Sequence, residues 1–139
     1  MNYTDKLKED LKFGETAEIS LNDKLNTYFN CSLTQTPQKH IFDFINDEKK
    51  VIIEVKTRKN TKHKYNDTMV GYNKVLEANK LVKEGWDVYF VFNFTDLLTY
   101  YHYETENPSW IRVGGRDDRG RKEWKPEYYY VPVIHLINI

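Results

Sequence analysis

The sequence predicts an α/β fold, a mixed sheet flanked by helices. Three observations carry this. Residues 40–46 and 49–58 are two apolar stretches that alternate like strands around the polar turn NDEKK. Ala17, Leu21, Leu25 and Tyr28 recur at helical spacing, with Phe29 widening the stripe. The run WDVYFVFNF, residues 86–94, is almost wholly aromatic and β-branched, which suits a central strand covered on both faces. Helix, strands, helix and strands in that order form a mixed sheet with helices packed on it.

Each element has its own signal. Residues 1–13 read as a short arm, and a helix spans about 15 to 30. Two strands follow, then the basic loop KNTKHKYN. A second helix is expected from Asp67, an N-cap residue type, to Gly85, a C-cap glycine. Tyr72, Val75, Leu76, Ala78 and Val82 form its inner face. The strand at 86–94 is followed by another at 97–105. Residues 106–127 hold two prolines and three glycines and read as a long loop. YYYVPVIHLI is the last strand, and Pro132 places it at an edge or a bulge.

The chain has 139 residues, 40% of them hydrophobic, which fits one domain over residues 1–139 with one core. Lysine and arginine balance aspartate and glutamate at 21 each, which argues against a protein that coats nucleic acid by net charge. A single cysteine, Cys31, excludes an internal disulfide and a cysteine zinc cluster. The polar N-terminus lacks a signal-peptide core, and no run approaches the ~18 apolar residues of a membrane span. A soluble intracellular protein is expected. The many Lys, Asn, Tyr and Ile residues fit an AT-rich genome such as that of a virus or phage, which would put the protein in the host cytoplasm.

Charged residues inside the apolar hairpin need a reason, because buried strands rarely keep acids and lysines unpartnered. Along the second strand Lys50, Ile52, Glu54 and Lys56 share one face, and Val51, Ile53 and Val55 the other. Closing the hairpin on Glu48 and Lys49 puts Asp43 directly opposite Glu54, roughly 5 Å away at Cβ. Two carboxylates so placed repel unless a cation lies between them, and a divalent ion with oxygen ligands fits, helped by the carbonyl of Val55. Lys56, one step along, would steer or deprotonate an attacking water. Other acid-x-lysine triplets occur in the chain, but Glu54-Val55-Lys56 alone lies in a β-branched strand beside an acid-bearing one. In the first helix Glu18 falls inside the apolar stripe, whereas Glu15 lies about 110° from its centre.

Asp43, the ten-residue gap, Glu54-Val55-Lys56 and the upstream Gly14 and Glu18 together resemble the PD-(D/E)xK nuclease superfamily. The nearest pattern is its archaeal Holliday junction resolvase branch. The resemblance runs over residues 14 to 94, with Phe42 in place of the motif's proline. It implies a restriction-endonuclease-like α-β-β-β-α-β core and Mg²⁺-dependent hydrolysis of DNA phosphodiester bonds, with Mn²⁺ able to substitute. Asp43 and Glu54 would hold the metal with the Val55 carbonyl, Lys56 would be the catalytic lysine, and Glu18 the helix acid.

The run KTRKNTKHK offers Arg58, Lys59, Lys62 and Lys64 to a phosphate backbone, or is simply a solvated loop. The tyrosine-rich TYYHY and EYYYV stretches suit half-buried strands better than base stacking. Two rival readings stay open. One is a nucleic-acid-binding module that keeps the fold without turnover. The other is an interaction protein whose acids form plain ion pairs with Lys50 and Lys56. A homodimer would serve an enzyme that cuts both strands.

Overall fold

The structure is a computed structural model that describes residues 21–37, 40–104 and 129–139, and the backbone of 112–115 and 127–128. The chain divides between Thr34 and Gln35 into two compact units.

In the first unit, helix α1 covers residues 21–29 of the described chain, as its apolar spacing predicts. Leu25 is fully buried and Cys31 is buried, whereas Tyr28, expected in the inner stripe, is 42% exposed with its ring edge-on to Phe29. Asn30 adopts a positive φ of 51° just after the helix, a conformation asparagine tolerates, and Asn26 accepts the Leu33 N–H at 2.8 Å. The helix start and Glu18 lie outside the described residues.

Strands β1 (Thr34–Gln35), β2 (Phe44–Asn46), β3 (Val51–Thr57), β5 (Asp87–Asn93), β6 (Leu98–Tyr103) and β9 (Ile137–Asn138) form one sheet in the order β1-β2-β3-β5-β6-β9. β2 and β3 are the predicted hairpin, and Phe44 pairs with Ile53, Ile45 with Ile52 and Asn46 with Val51. That is the predicted register. The turn spans residues 47–50, within the predicted NDEKK, so that β3 begins at Val51 and not at Lys49, and Lys50 takes a positive φ of 52°. The Lys50 ammonium donates to the Glu84 carbonyl at 3.2 Å, a cation placed where helix carbonyls are unpaired.

β3 runs parallel to β5, with Glu54 beside Phe90 and Lys56 beside Phe92. The crossover between them is helix α2 (Tyr72–Lys83). With β1, β2 and β3 before this helix and β5 after it, the mixed α/β architecture is restriction-endonuclease-like.

Two elements depart from the sequence reading. Residues 67–71 are not the start of a helix but strand β4 (Asp67–Gly71), in which Thr68 and Val70 are buried in alternation. The N-cap of α2 is therefore Gly71, not Asp67. β4 pairs antiparallel with β8 (Glu127–Pro132), which also pairs with β7 (Arg112–Gly115) inside the expected loop. β8 is thus the middle of a second, three-stranded sheet rather than an edge. Pro132 sits on its last rung, opposite Asp67, where an absent N–H costs least. The 3₁₀ turn Val133–His135 follows, and the chain closes as β9 on β6.

One core joins both sheets to α2. Phe42, Ile52, Phe90, Phe92 and Tyr103 meet Val75 and Ala78 of the helix and Val70, Tyr129 and Val131 of the small sheet. Leu76, expected on the inner face, is 49% exposed instead. The Tyr103 ring lies edge-on to both Phe90 and Tyr129, and its hydroxyl donates to Asn79 of α2. Among the described residues no helix is long and apolar enough to cross a membrane.

The exit from α2 gives a test. Gly85 has φ +91°, a left-handed conformation that a side chain disfavours, and an added Cβ there would meet only the Lys50 ammonium at 4.0 Å. Gly85→Ala should therefore lower stability by about 1 kcal/mol through backbone strain alone, read as a shifted urea midpoint with an unchanged slope.

Candidate active site

The site is built where β3 leaves the core. Ile52, Glu54 and Lys56 alternate onto the face covered by α2, and the strand is held there by its parallel ladder to β5. Glu54 is the consequence: a carboxylate only 3% exposed on a central strand.

Asp43 arrives differently from the expectation. It lies in a bend just ahead of β2 instead of within a longer strand. Its N–H still reaches the Ile53 carbonyl at 2.9 Å, and its own carbonyl accepts the Thr36 N–H at 2.8 Å and the Thr36 hydroxyl at 3.0 Å. The Thr36 hydroxyl also bonds the Phe42 carbonyl. Oδ2 of Asp43 then accepts the Val55 N–H at 2.7 Å. The carboxylate is thereby fixed beside Glu54, and among the described residues its Oδ1 accepts no hydrogen bond.

Glu54 is held by two ammoniums. Lys56 Nζ lies 3.2 Å from Oε1, and Lys74 Nζ lies 3.4 Å from Oε2. Burial pushes the Glu54 carboxyl above its usual range, and the negative charge of Asp43 adds to the rise, while Lys56 and Lys74 oppose it.

Lys74 was not anticipated from the sequence. It stands in the first turn of α2, donates to the Ile41 carbonyl as well as to Glu54, and sits 5.8 Å from the centre of the Phe42 ring. The signal was present: Lys74 precedes Ala78 by four residues, so it shares the inward face of the helix. Beginning the helix at Asp67 hid that Lys74 opens it.

The basic loop divides. Arg58 stands one residue past β3, its N–H on the Asn93 carbonyl and its guanidinium on Thr68 Oγ1 at 3.3 Å and on the Met69 carbonyl. Lys62 is buried, with its Nζ 2.8 Å from Asn138 Oδ1 and its N–H 2.9 Å from Asp96 Oδ1, so it fastens the loop to β9 and to the turn before β6. Lys59 and Lys64 are exposed, and Lys64 lies over the Tyr65 ring. Asp43, Glu54 and Lys56 thus come together with Lys74, and Arg58 lies on the continuation of their strand.

A family model described as "Phage putative PDDEXK endonuclease" matches residues 12–136. The chain belongs to this family. No curated protein and no solved structure matches it. Membership in the phage PDDEXK family bears out the superfamily without singling out the junction-resolvase branch. It makes the chain a nuclease by kinship, with nucleic acid as its substrate.

The raised Glu54 carboxyl sets a pH dependence. A group that binds its proton more tightly when folded lowers stability as pH rises from its ordinary range through its raised one. Glu54→Gln should therefore be more stable than the parent protein at pH 7.5 in EDTA, and the gap should close below about pH 4, where both carry a neutral side chain. Urea unfolding at the two pH values measures this directly.

Proposed function

We propose that the chain is a divalent-metal-dependent deoxyribonuclease whose centre is Asp43, Glu54 and Lys56. The observation that carries this reading is the meeting of two carboxylates at the mouth of β3, one buried and one tied to the Val55 N–H through a single oxygen among the described residues, beside an ammonium. Hard oxygen donors under mutual repulsion fit a hard cation. Asp43, Glu54 and the Val55 carbonyl would hold Mg²⁺, or Mn²⁺ in its place, and Glu18 is the expected helix acid. Magnesium bound there would keep several waters, as that ion ordinarily does.

When bound, the ion neutralises charge on the scissile phosphate and acidifies water. The rest falls to side chains of the chain. Lys56, whose side chain is one-third exposed, can turn from Glu54 toward solvent and either orient the attacking water or neutralise the phosphate oxygens. Lys74 opposes the rise in the Glu54 carboxyl pKa and orients the group from the helix side. Arg58, Lys59 and Lys64 contact phosphates flanking the cut, and Lys62 anchors the loop that carries them. DNA is the substrate we infer, with RNA second. The Gly14 and Glu18 resemblance supports a junction- or flap-type endonuclease, which a homodimer would suit.

Cleavage of labelled single strands, duplexes, flaps and four-way junctions in Mg²⁺ or Mn²⁺ tests the reading. Lys56→Ala and Asp43→Asn should each reduce the rate at least about a hundredfold. No cutting by the parent protein of any DNA or RNA would favour the binding module without turnover. Failure to bind a divalent ion as well would leave plain ion pairs.

A further inference from the structure

Beyond the end of β3 the structure holds a cleft of about 310 Å³ lined by Arg58, Asn60, Tyr65, Asp67, Thr68 and Met69. That is the lower end of the range for clefts that hold small ligands. Two of its walls are the elements that build the nuclease centre. Arg58 continues the row of Glu54 and Lys56, roughly 7 Å beyond Lys56 at the rise of a strand. Thr68 and Met69 belong to β4, which leads into α2 and Lys74.

The chemistry of the lining is specific. The Arg58 guanidinium is half-buried and, among the described residues, bonded to two neutral oxygens, Thr68 Oγ1 and the Met69 carbonyl. Among the described residues no carboxylate pairs with it. Burial pulls its pKa down. A desolvated cation with its fork pinned in place is a receptor for an anion, and phosphate is the anion whose geometry a guanidinium matches. Beside it Tyr65 is 57% exposed, with the Lys64 ammonium 5.5 Å from its ring centre. A tyrosine held in the open next to an anion site offers a stacking face. Asn60 and Asp67 add polar groups of the kind that meet base edges.

We propose that this cleft is a subsite for one unpaired nucleotide of the substrate strand, its phosphate on Arg58 and its base on the ring of Tyr65; the proposal rests on the reading of Asp43, Glu54 and Lys56 as a nuclease centre. A base in a paired duplex already has both faces stacked on its neighbours. To reach Tyr65 it must leave the stack, which is easiest where the strand is single, frayed or at a branch. The subsite therefore selects nucleic acid with an unpaired residue next to the cut.

Fluorescence anisotropy with Ca²⁺ in place of Mg²⁺ tests this, using a labelled single strand and a blunt duplex of the same sequence with the parent protein, Tyr65→Ala and Tyr65→Phe. Tyr65→Ala should weaken single-strand binding roughly tenfold, the scale of one lost base stack, and change duplex binding less than about twofold. Tyr65→Phe, which keeps the ring, should bind like the parent. A 2-aminopurine probe in the single strand should change its emission on binding the parent and Tyr65→Phe, and not Tyr65→Ala. Equal loss on strand and duplex, or no loss, overturns the subsite. If Mg²⁺-dependent cutting persists in that case, the nuclease reading stands without it. If the tyrosine effect appears but no cutting does, the subsite stands on a binding module. Failure of the parent to bind either DNA overturns both.

Discussion

A carboxylate buried on a central strand is the constraint around which this molecule is arranged. Glu54 is enclosed by the aromatic rows of β5, and it is tolerable there only because Lys56 and Lys74 each meet one of its oxygens. Lys74 reaches it from the first turn of α2, a helix that packs on β5. Lys74 is in turn fixed by the Ile41 carbonyl and the Phe42 ring, which ties the helix to the approach of β2. Asp43 is then locked by Thr36 and the Val55 N–H into a place that raises the cost of the Glu54 charge. Replacing the whole group by apolar residues would often be neutral or stabilising in a structure of this kind.

The second sheet shapes the surface beside the end of β3. β4 intervenes between the basic loop and α2, and its backbone and Thr68 hold Arg58 in place. Lys62 turns inward to Asn138, so β9 fastens the loop that begins at the end of β3. The loop's cations are therefore held unlike one another: β4 pins Arg58, Asn138 takes Lys62 inward, and Lys59 and Lys64 face solvent. A neutral net charge is compatible with such sorting, because charge acts locally when pairs are fixed within a few ångströms and the rest is screened.

Sequence alone settled what depends on short-range pattern. The period of two in residues 44–57 gave the hairpin and its register, and with them the shared location of Asp43 and Glu54. The unbroken apolar run of residues 87–93 gave the buried central strand, and Gly85 gave the end of α2. Tertiary structure decided what depends on partners distant in the chain. β4 looked like the start of a helix because Asp67 is a good cap and the helical pattern begins just after it. Its true partner, β8, lies some sixty residues on, and only that pairing makes an extended Thr68 and Val70 better than a helical turn. Lys74 looked like an ordinary surface lysine because its burial is set by Ile41 and Phe42 across the sheet. Arg58 and Lys62 could not be told from Lys59 and Lys64 by composition, since which cation turns inward depends on the acceptors that Met69 and Asn138 bring to it.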